Sequence, residues 1–220
     1  MKDAESGAST RSVPLRKKLQ ESNETRNVPR WYVLRAAYGK ERHYFQMMTQ
    51  ENYTVYCPTI RVRKRINGKL RNVTESRIPN IFFAYGTLDE LKAVVYDNVR
   101  FPHLRFYYAH RHKGATVEKE PLVIPDAQLE SLRIICEAKE QDTIVSATDI
   151  GKFRIGRKVR VIAGPFEGVV GRVARFKGQQ RVGISFNGLA AVATAYVPTG
   201  MMELLEDGAS TPGVKYILPR

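Results

Sequence analysis

The sequence predicts a mixed fold in two parts, an N-terminal α+β or α/β layer of helices and sheet and a small C-terminal β-barrel. A strand–helix–strand order begins at Trp31, which favours layers of helix and sheet over a helical bundle. Glycine turns divide residues 158–205 into short β segments, which is typical of a small barrel. Residues 139–152 between the two parts are polar and without periodicity, as expected of an interdomain linker.

These observations predict five segments along the chain. The leader is rich in Ser, Asn and charged residues and has few large apolar residues, so we expect it to be disordered. The tail carries Gly, Ser and Pro, and we expect it to be loose. The predicted segments are the leader (1–29), the N-terminal domain (30–139), the linker (140–152), the barrel (153–206) and the tail (207–220).

The N-terminal domain begins with a strand at Trp31 that ends before Gly39. Lys40 to Glu51 is predicted to be a helix, because its apolar residues recur at helical spacing. A second strand follows at Tyr53 to Cys57 and stops at Pro58.

A strongly basic hairpin comes next, with its turn at Asn67-Gly68. A two-residue turn of this kind sets the pairing of the flanking strands. The predicted pairs are Ile66 with Lys69, Lys64 with Arg71, and Val62 with Val73. Like charges that face each other cost stability. The cations near the tip, Lys64, Arg65 and Lys69, are therefore either held apart by solvent or placed to bind phosphate.

The stretch after the hairpin, Arg77 to Tyr85, is apolar on both faces beyond Pro79. This pattern predicts a central strand, or a strand whose outer face meets a partner. Thr87 and Glu90 have the spacing of a capping box and predict a helix that runs to about Tyr96. A strand at Leu104 to Ala109 and a helix that starts at Pro125-Asp126 complete the domain.

Charge is the strongest feature of the composition of this 220-residue chain, with a formal net charge of +14. Such a charge attracts polyanions, and nucleic acid is the commonest polyanion in a cell. The sequence has no apolar run long enough to span a bilayer and no signal peptide. Cys57 and Cys136 lie far apart, which is typical of buried thiols in a reducing compartment. We therefore expect a cytoplasmic protein that does not bind membranes.

No pattern of catalytic residues occurs in the sequence. His110 and His112 have no cysteine or carboxylate partners at zinc spacing, and the account that we favour is two surface histidines in a basic loop. Phosphate-binding loops, nucleophile elbows and dinucleotide fingerprints are missing. We expect a protein that is not an enzyme and that holds no metal and no cofactor.

Two motifs resemble known domains. The run Val159, Val161, Gly164-Pro165-Phe166, Gly168, Gly171 and Val173 resembles a KOW motif in an SH3-like barrel. The order of Trp31-Tyr32-Val33, the first helix, the basic hairpin, the Ile-Pro-Asn-Ile-Phe-Phe strand and two further helices resembles the N-terminal (NGN) domain of the NusG family. The likeness covers residues 30–205 and is greatest to specialised paralogues, such as RfaH and the antiterminators of capsular-polysaccharide operons.

This resemblance implies an α+β fold, in which an N-terminal α/β sandwich with an antiparallel sheet is followed by a linker and a C-terminal SH3-like β-barrel. It also implies a transcription elongation and antitermination factor that binds RNA polymerase and suppresses pausing or termination at particular operons, among them those for polysaccharide biosynthesis. It places the clamp helices of the largest polymerase subunit against the apolar strand, at Ile78, Pro79, Ile81 and Phe83. The alternative is that these side chains point into the domain's own core.

The resemblance also implies contacts with nontemplate DNA or nascent RNA from the start of the first helix and the end of the second. The residues there are Lys40, Arg42, His43 and Arg100. Arg42 as an ordinary solvated helix residue is the alternative.

In the barrel the resemblance implies a face that binds ribosomal protein S10 or Rho through Phe166, Ile184 and Phe186. Phe186 could equally fill the core of the barrel. The other functional hypothesis is a KOW-containing protein that binds RNA or associates with the ribosome.

Overall fold

The computed structural model describes residues 28–97, 99–113, 116–138, 143–146, 156–176, 178–186 and 190–206. Within them the chain forms fifteen strands and three α-helices. The helices are α1 (Glu41–Gln50), α2 (Leu88–Val95) and α3 (Asp126–Glu137). The strands are β1 (Arg30–Ala36), β2 (Thr54–Tyr56), β3 (Thr59–Ile66), β4 (Lys69–Ser76), β5 (Ile81–Gly86), β6 (Leu104–Phe106), β7 (Tyr108–Lys113), β8 (Thr116–Pro121), β9 (Val123–Ile124), β10 (Ile144–Ser146), β11 (Lys158–Val161), β12 (Val170–Phe176), β13 (Gln179–Phe186), β14 (Ala190–Ala193) and β15 (Met202–Leu204).

The first sheet is antiparallel and has the order β2-β5-β1-β6, with β9 also paired to β1. Strand β5 is therefore a central strand, as its apolar sequence predicts, and Phe83 lies opposite Val33. Successive residues of a strand point to opposite faces. Phe82 accordingly joins the core beneath α1 and α2, whereas Phe83 joins the core beneath α3. The result is the predicted α/β sandwich.

The predicted capping box starts α2. The Thr87 side chain accepts a hydrogen bond from the Glu90 N–H at 3.3 Å, and the Glu90 carboxylate accepts one from the Thr87 N–H at 2.8 Å. These reciprocal bonds satisfy two N–H groups that a helix end leaves without partners. They also hold the pKa of the Glu90 carboxyl below its usual value.

The C-terminal strands form one antiparallel sheet with the order β10-β14-β13-β12-β11-β15. Its buried side chains, among them Val159, Val161 and Val182, alternate along the strands as predicted. The fold class, mixed α and β with antiparallel sheets in both parts, is confirmed. Most of the predicted leader and the whole of the predicted tail lie outside the described residues.

Part of the predicted linker forms a strand. Ile144 to Ser146 pair with β14 as an edge strand of the C-terminal sheet. The segment is too short to show a period of two in the sequence, and only the unpaired edge of β14 gives it a partner.

Helix α3 lies between the two sheets. The Val170 N–H donates to Ser131 Oγ at 3.0 Å, and a Cβ added to Gly168 would lie 3.4 Å from Ile134 Cδ1. The Arg77 guanidinium donates to Thr143 Oγ1 at 2.7 Å. The core beneath α3 continues without a break into the core of the C-terminal sheet. The two parts are therefore packed together in this structure.

Candidate polymerase-docking and nucleic-acid surfaces

The residues predicted to meet the polymerase lie on β5 and on the turn before it. Ile78, Ile81 and Phe83 are buried in the core that α3 and the C-terminal sheet cover, and Pro79 is exposed. In this arrangement the three apolar side chains point into the core of the protein, as the alternative interpretation of this strand expects. Contact with a polymerase helix would require part of the covering structure to move.

The same face of β5 becomes accessible at its far end. Tyr85 follows Phe83 with the same parity, is 37% exposed, and lies 5.3 Å from Trp31 between ring centroids. Tyr56 on β2 stacks against Phe83, with the Arg133 guanidinium 5.6 Å from the Tyr56 ring centroid. An aromatic rim thus borders the buried apolar patch.

Burial raises the pKa of two ionisable side chains beneath α3. It raises the pKa of the Tyr56 hydroxyl above its usual value and that of the Cys136 thiol to about 11. Burial likewise raises the pKa of the Cys57 thiol to about 11. Both thiols are free and remain protonated at neutral pH, as expected of cysteines that act as small apolar residues.

The candidate nucleic-acid residues at the start of α1 surround a strained turn. Tyr38 has a positive φ of 60° and is 81% exposed, and its ring lies edge-on to His103 with 5.0 Å between centroids. The Gly39 N–H donates to the Asn80 side chain at 2.9 Å. A non-glycine residue held at positive φ indicates a local constraint. Tyr38 was not among the residues predicted to contact nucleic acid. The sequence signal that could have indicated it is an aromatic residue next to Gly39 in a turn.

The predicted basic residues around this turn differ in environment. Lys40 is half-buried and His43 is exposed. Arg42 is half-buried, and its guanidinium donates to the Thr74 carbonyl of β4. This bond joins the first turn of α1 to the basic hairpin.

Arg100 does not join this group. Its guanidinium binds Asp97 and Glu51, each at 2.7 Å, and Glu51 follows the opposite end of α1. The hydrogen bond from Arg100 lowers the pKa of the Asp97 carboxyl. Because two carboxylates offset its charge, we leave Arg100 out of the nucleic-acid surface, and His103 takes its place near Tyr38.

The basic hairpin has the predicted register. Ile66 pairs with Lys69, Lys64 with Arg71 and Val62 with Val73. Asn67 and Gly68 have φ of 50° and 77°, as a two-residue hairpin turn requires. The predicted cations lie on different faces, because Lys64 and Lys69 share one face and Arg65 lies on the other.

The residues predicted to bind S10 or Rho are buried. Ile184 and Phe186 fill the core of the C-terminal sheet, and Phe166 packs into the core that continues beneath α3. The Phe166 ring is therefore not accessible in this structure. Gly164 and Gly168, with φ of 87° and 89°, turn the loop back so that Phe166 points inward.

The part of the chain that the structure describes has neither a metal-ligand cluster nor a membrane-spanning helix. No cluster of three or more His, Cys, Asp or Glu side chains is arranged to hold a metal ion. None of the helices there has the length and apolarity needed to cross a bilayer.

Comparison with known proteins gives two findings. The family model described as "Transcription termination factor nusG" matches residues 29–133. A solved structure, "Domain interaction in Thermotoga maritima NusG", is 16% identical, with a TM-score of 0.39, and the alignment covers 81% of this chain and 98% of that chain. No curated protein matches the chain. The matched residues span both faces of the first sheet and most of α3, and over this N-terminal domain the chain matches the NusG family of transcription factors.

Proposed function

We propose that the chain is a specialised elongation and antitermination factor that docks on RNA polymerase through the α3-side face of β5 and suppresses pausing or termination. NusG family proteins bind RNA polymerase. The observation that carries the proposal is the apolar face of Ile81 and Phe83, which runs out to the partly exposed Tyr85 at the end of a family-matched sheet.

Docking would be regulated by the C-terminal sheet. Ile78, Ile81 and Phe83 share one buried core with residues of that sheet, so the docking face is covered when the two parts are packed together. A polymerase that competes for this face would bind the population in which the parts have separated. Aromatic anchors such as Tyr85 and Trp31 remain accessible at the rim and would make the first contact.

The nucleic-acid partner of the N-terminal domain is, in this proposal, the nontemplate strand. Tyr38 and His103 present ring edges and faces beside Lys40 and His43, and an exposed aromatic can stack on an unpaired base while cations attract phosphate. Arg42 extends this surface toward the hairpin through its bond to Thr74.

Two finer parts of the proposal, action at polysaccharide operons and contact with the clamp helices, come from the likeness to NusG-family proteins. Location in the cytoplasm and the lack of catalytic activity are expectations from the sequence. Binding of ribosomal protein S10 or Rho by the C-terminal sheet would need a surface other than the buried Phe166, Ile184 and Phe186.

The test is retention of the full chain on immobilised core polymerase without nucleic acid. Tyr85→Lys places a charge on the docking rim and should reduce retention about tenfold, because a charged group must then be desolvated at an apolar contact. Tyr96→Lys is the matched control, since Tyr96 is an exposed tyrosine at the end of α2, on the opposite face of the sheet.

Equal retention of both variants and the wild type would reject the docking face. Association that appears only with ribosomes and disappears after nuclease treatment would support the alternative of an RNA-binding or ribosome-associated protein. Single-round transcription over a pause site then measures the effect on elongation, and unchanged pause lifetimes would reject antipausing activity.

A further inference from the structure

The hairpin of β3 and β4 has two chemically different faces. Alternation along β3 places Arg61, Arg63 and Arg65 on one face, opposite Thr74, Asn72 and Leu70 respectively. We call this the arginine face. The other face carries three cations as well, Lys64, Lys69 and Arg71, but it also carries Val62, Val73 and Glu75.

The second face carries a carboxylate among its cations, whereas the arginine face carries none. On the second face Lys64 forms an ion pair with Glu75 at 2.5 Å. On the arginine face all three side chains are exposed, and within the part of the chain that the structure describes no carboxylate forms an ion pair with any of them. Three uncompensated guanidinium groups in one row repel each other, and a polyanion would remove that cost.

The arginine face is connected to the nucleic-acid surface of α1. Arg42 donates to the carbonyl of Thr74, which pairs with Arg61 at the inner end of the row. The Arg77 N–H donates to the Pro58 carbonyl at 2.8 Å and closes the base of the hairpin. The row of arginines therefore projects from the domain at a held position and continues the cationic surface outward.

The spacing and composition of the row favour one occupant. Residues two apart on a strand are separated by about 6.8 Å, about the rise of two nucleotides along one strand of a duplex. No residue of the arginine face is aromatic, so the face lacks the stacking groups with which proteins hold unpaired bases. Guanidinium groups bind phosphate through two parallel hydrogen bonds.

We propose that the arginine face binds the phosphate backbone of duplex DNA, beside the α1 surface that takes the unpaired strand. This inference rests on the proposed function only in taking DNA as the partner. It assigns the hairpin contact to Arg61, Arg63 and Arg65, of which only Arg65 was expected from the sequence. The contact is independent of base sequence, because phosphates carry no sequence information.

The experiment measures binding of the full chain to a fluorescent 25-base-pair DNA duplex by anisotropy between about 50 and 200 mM salt. Changing Arg61, Arg63 and Arg65 together to Gln should make the slope of log K against log salt shallower by about 2 to 3, since each lost phosphate contact removes about 0.9. Affinity at the lowest salt should fall about tenfold or more.

The matched control changes Lys64, Lys69 and Arg71 to Gln, which removes the same charge from the same hairpin. Its slope should become shallower by less than about 1. Equal losses in the two variants would show a general charge effect and overturn the assignment to one face. An unchanged slope in the arginine variant would overturn it as well.

Two further readouts separate this inference from the proposed function. The same DNA strand without its complement should bind more weakly to the hairpin. If the arginine variant loses binding only to single-stranded DNA or only to duplex RNA, the choice of duplex DNA as the partner is overturned. Retention on core polymerase without nucleic acid should be the same for both hairpin variants and the wild type. Loss of that retention in the arginine variant alone would make the face a protein contact and overturn the inference.

Discussion

The bond between Ser131 and Val170 offers a direct test of whether the C-terminal sheet masks the docking face. The Ser131 hydroxyl accepts from the Val170 N–H at 3.0 Å across the boundary and donates to the Ala127 carbonyl within α3 at 2.8 Å. Ser131→Ala removes both bonds. The bond to Ala127 is lost whether the parts are packed or separated, so it cancels in the comparison.

Loss of the bond between Ser131 and Val170 destabilises only the arrangement in which the two parts are packed together. There the Val170 N–H is left without a partner at a boundary where Ser131 is buried, which costs about 1–3 kcal/mol. After separation water satisfies the N–H. Because 1.4 kcal/mol corresponds to a factor of ten, the separated population should rise by about 5-fold to 150-fold. Where the packed form dominates, the apparent dissociation constant for polymerase falls by the same factor.

Two measurements decide the outcome, amide hydrogen exchange at Val170 and the affinity of the full chain for core polymerase. We expect faster exchange and tighter binding in Ser131→Ala. Glu130→Ala, a neighbouring exposed position on α3, should change neither. Faster exchange with unchanged affinity would refute the masking of the docking face, and unchanged exchange would refute the role of the hydrogen bond in holding the two parts together.

Three further predictions concern stability. A Cβ on Gly171 would lie 2.5 Å from the Gly183 carbonyl oxygen, so Gly171→Ala should destabilise the C-terminal sheet by about 1–3 kcal/mol in denaturant titrations. Gly183→Ala meets only ordinary contacts and should cost less, and equal losses would contradict the clash. Thr87→Ala removes the capping box of α2 and should cost about 1 kcal/mol, seen as a lower Tm; an unchanged Tm would contradict the cap. The pKa values of Cys57 and Cys136 are raised from 9.0 to about 11, so unfolding releases protons between these values and stability should fall as pH rises from 9 to 11. A variant with alanine at both positions should lose less over that range, and an identical decline would contradict the raised pKa values.

Local sequence determined the elements of this protein. Asn67-Gly68 sets the register of the basic hairpin because a two-residue turn leaves the flanking strands only one way to pair. Thr87 and Glu90 start α2 because their partners lie within three residues. The doubly apolar run at β5 predicted a central strand because each face of such a strand needs its own cover.

Tertiary structure alone decided which of these groups are accessible. Phe166 and Phe83 are buried because α3 and the C-terminal sheet meet over them, and nothing within a few residues of either side chain specifies that meeting. Arg100 is held by Glu51, which lies 49 residues away in the chain. Propensity, turn chemistry and capping act over a few residues, whereas burial and charge pairing depend on distant segments that only the folded chain brings together.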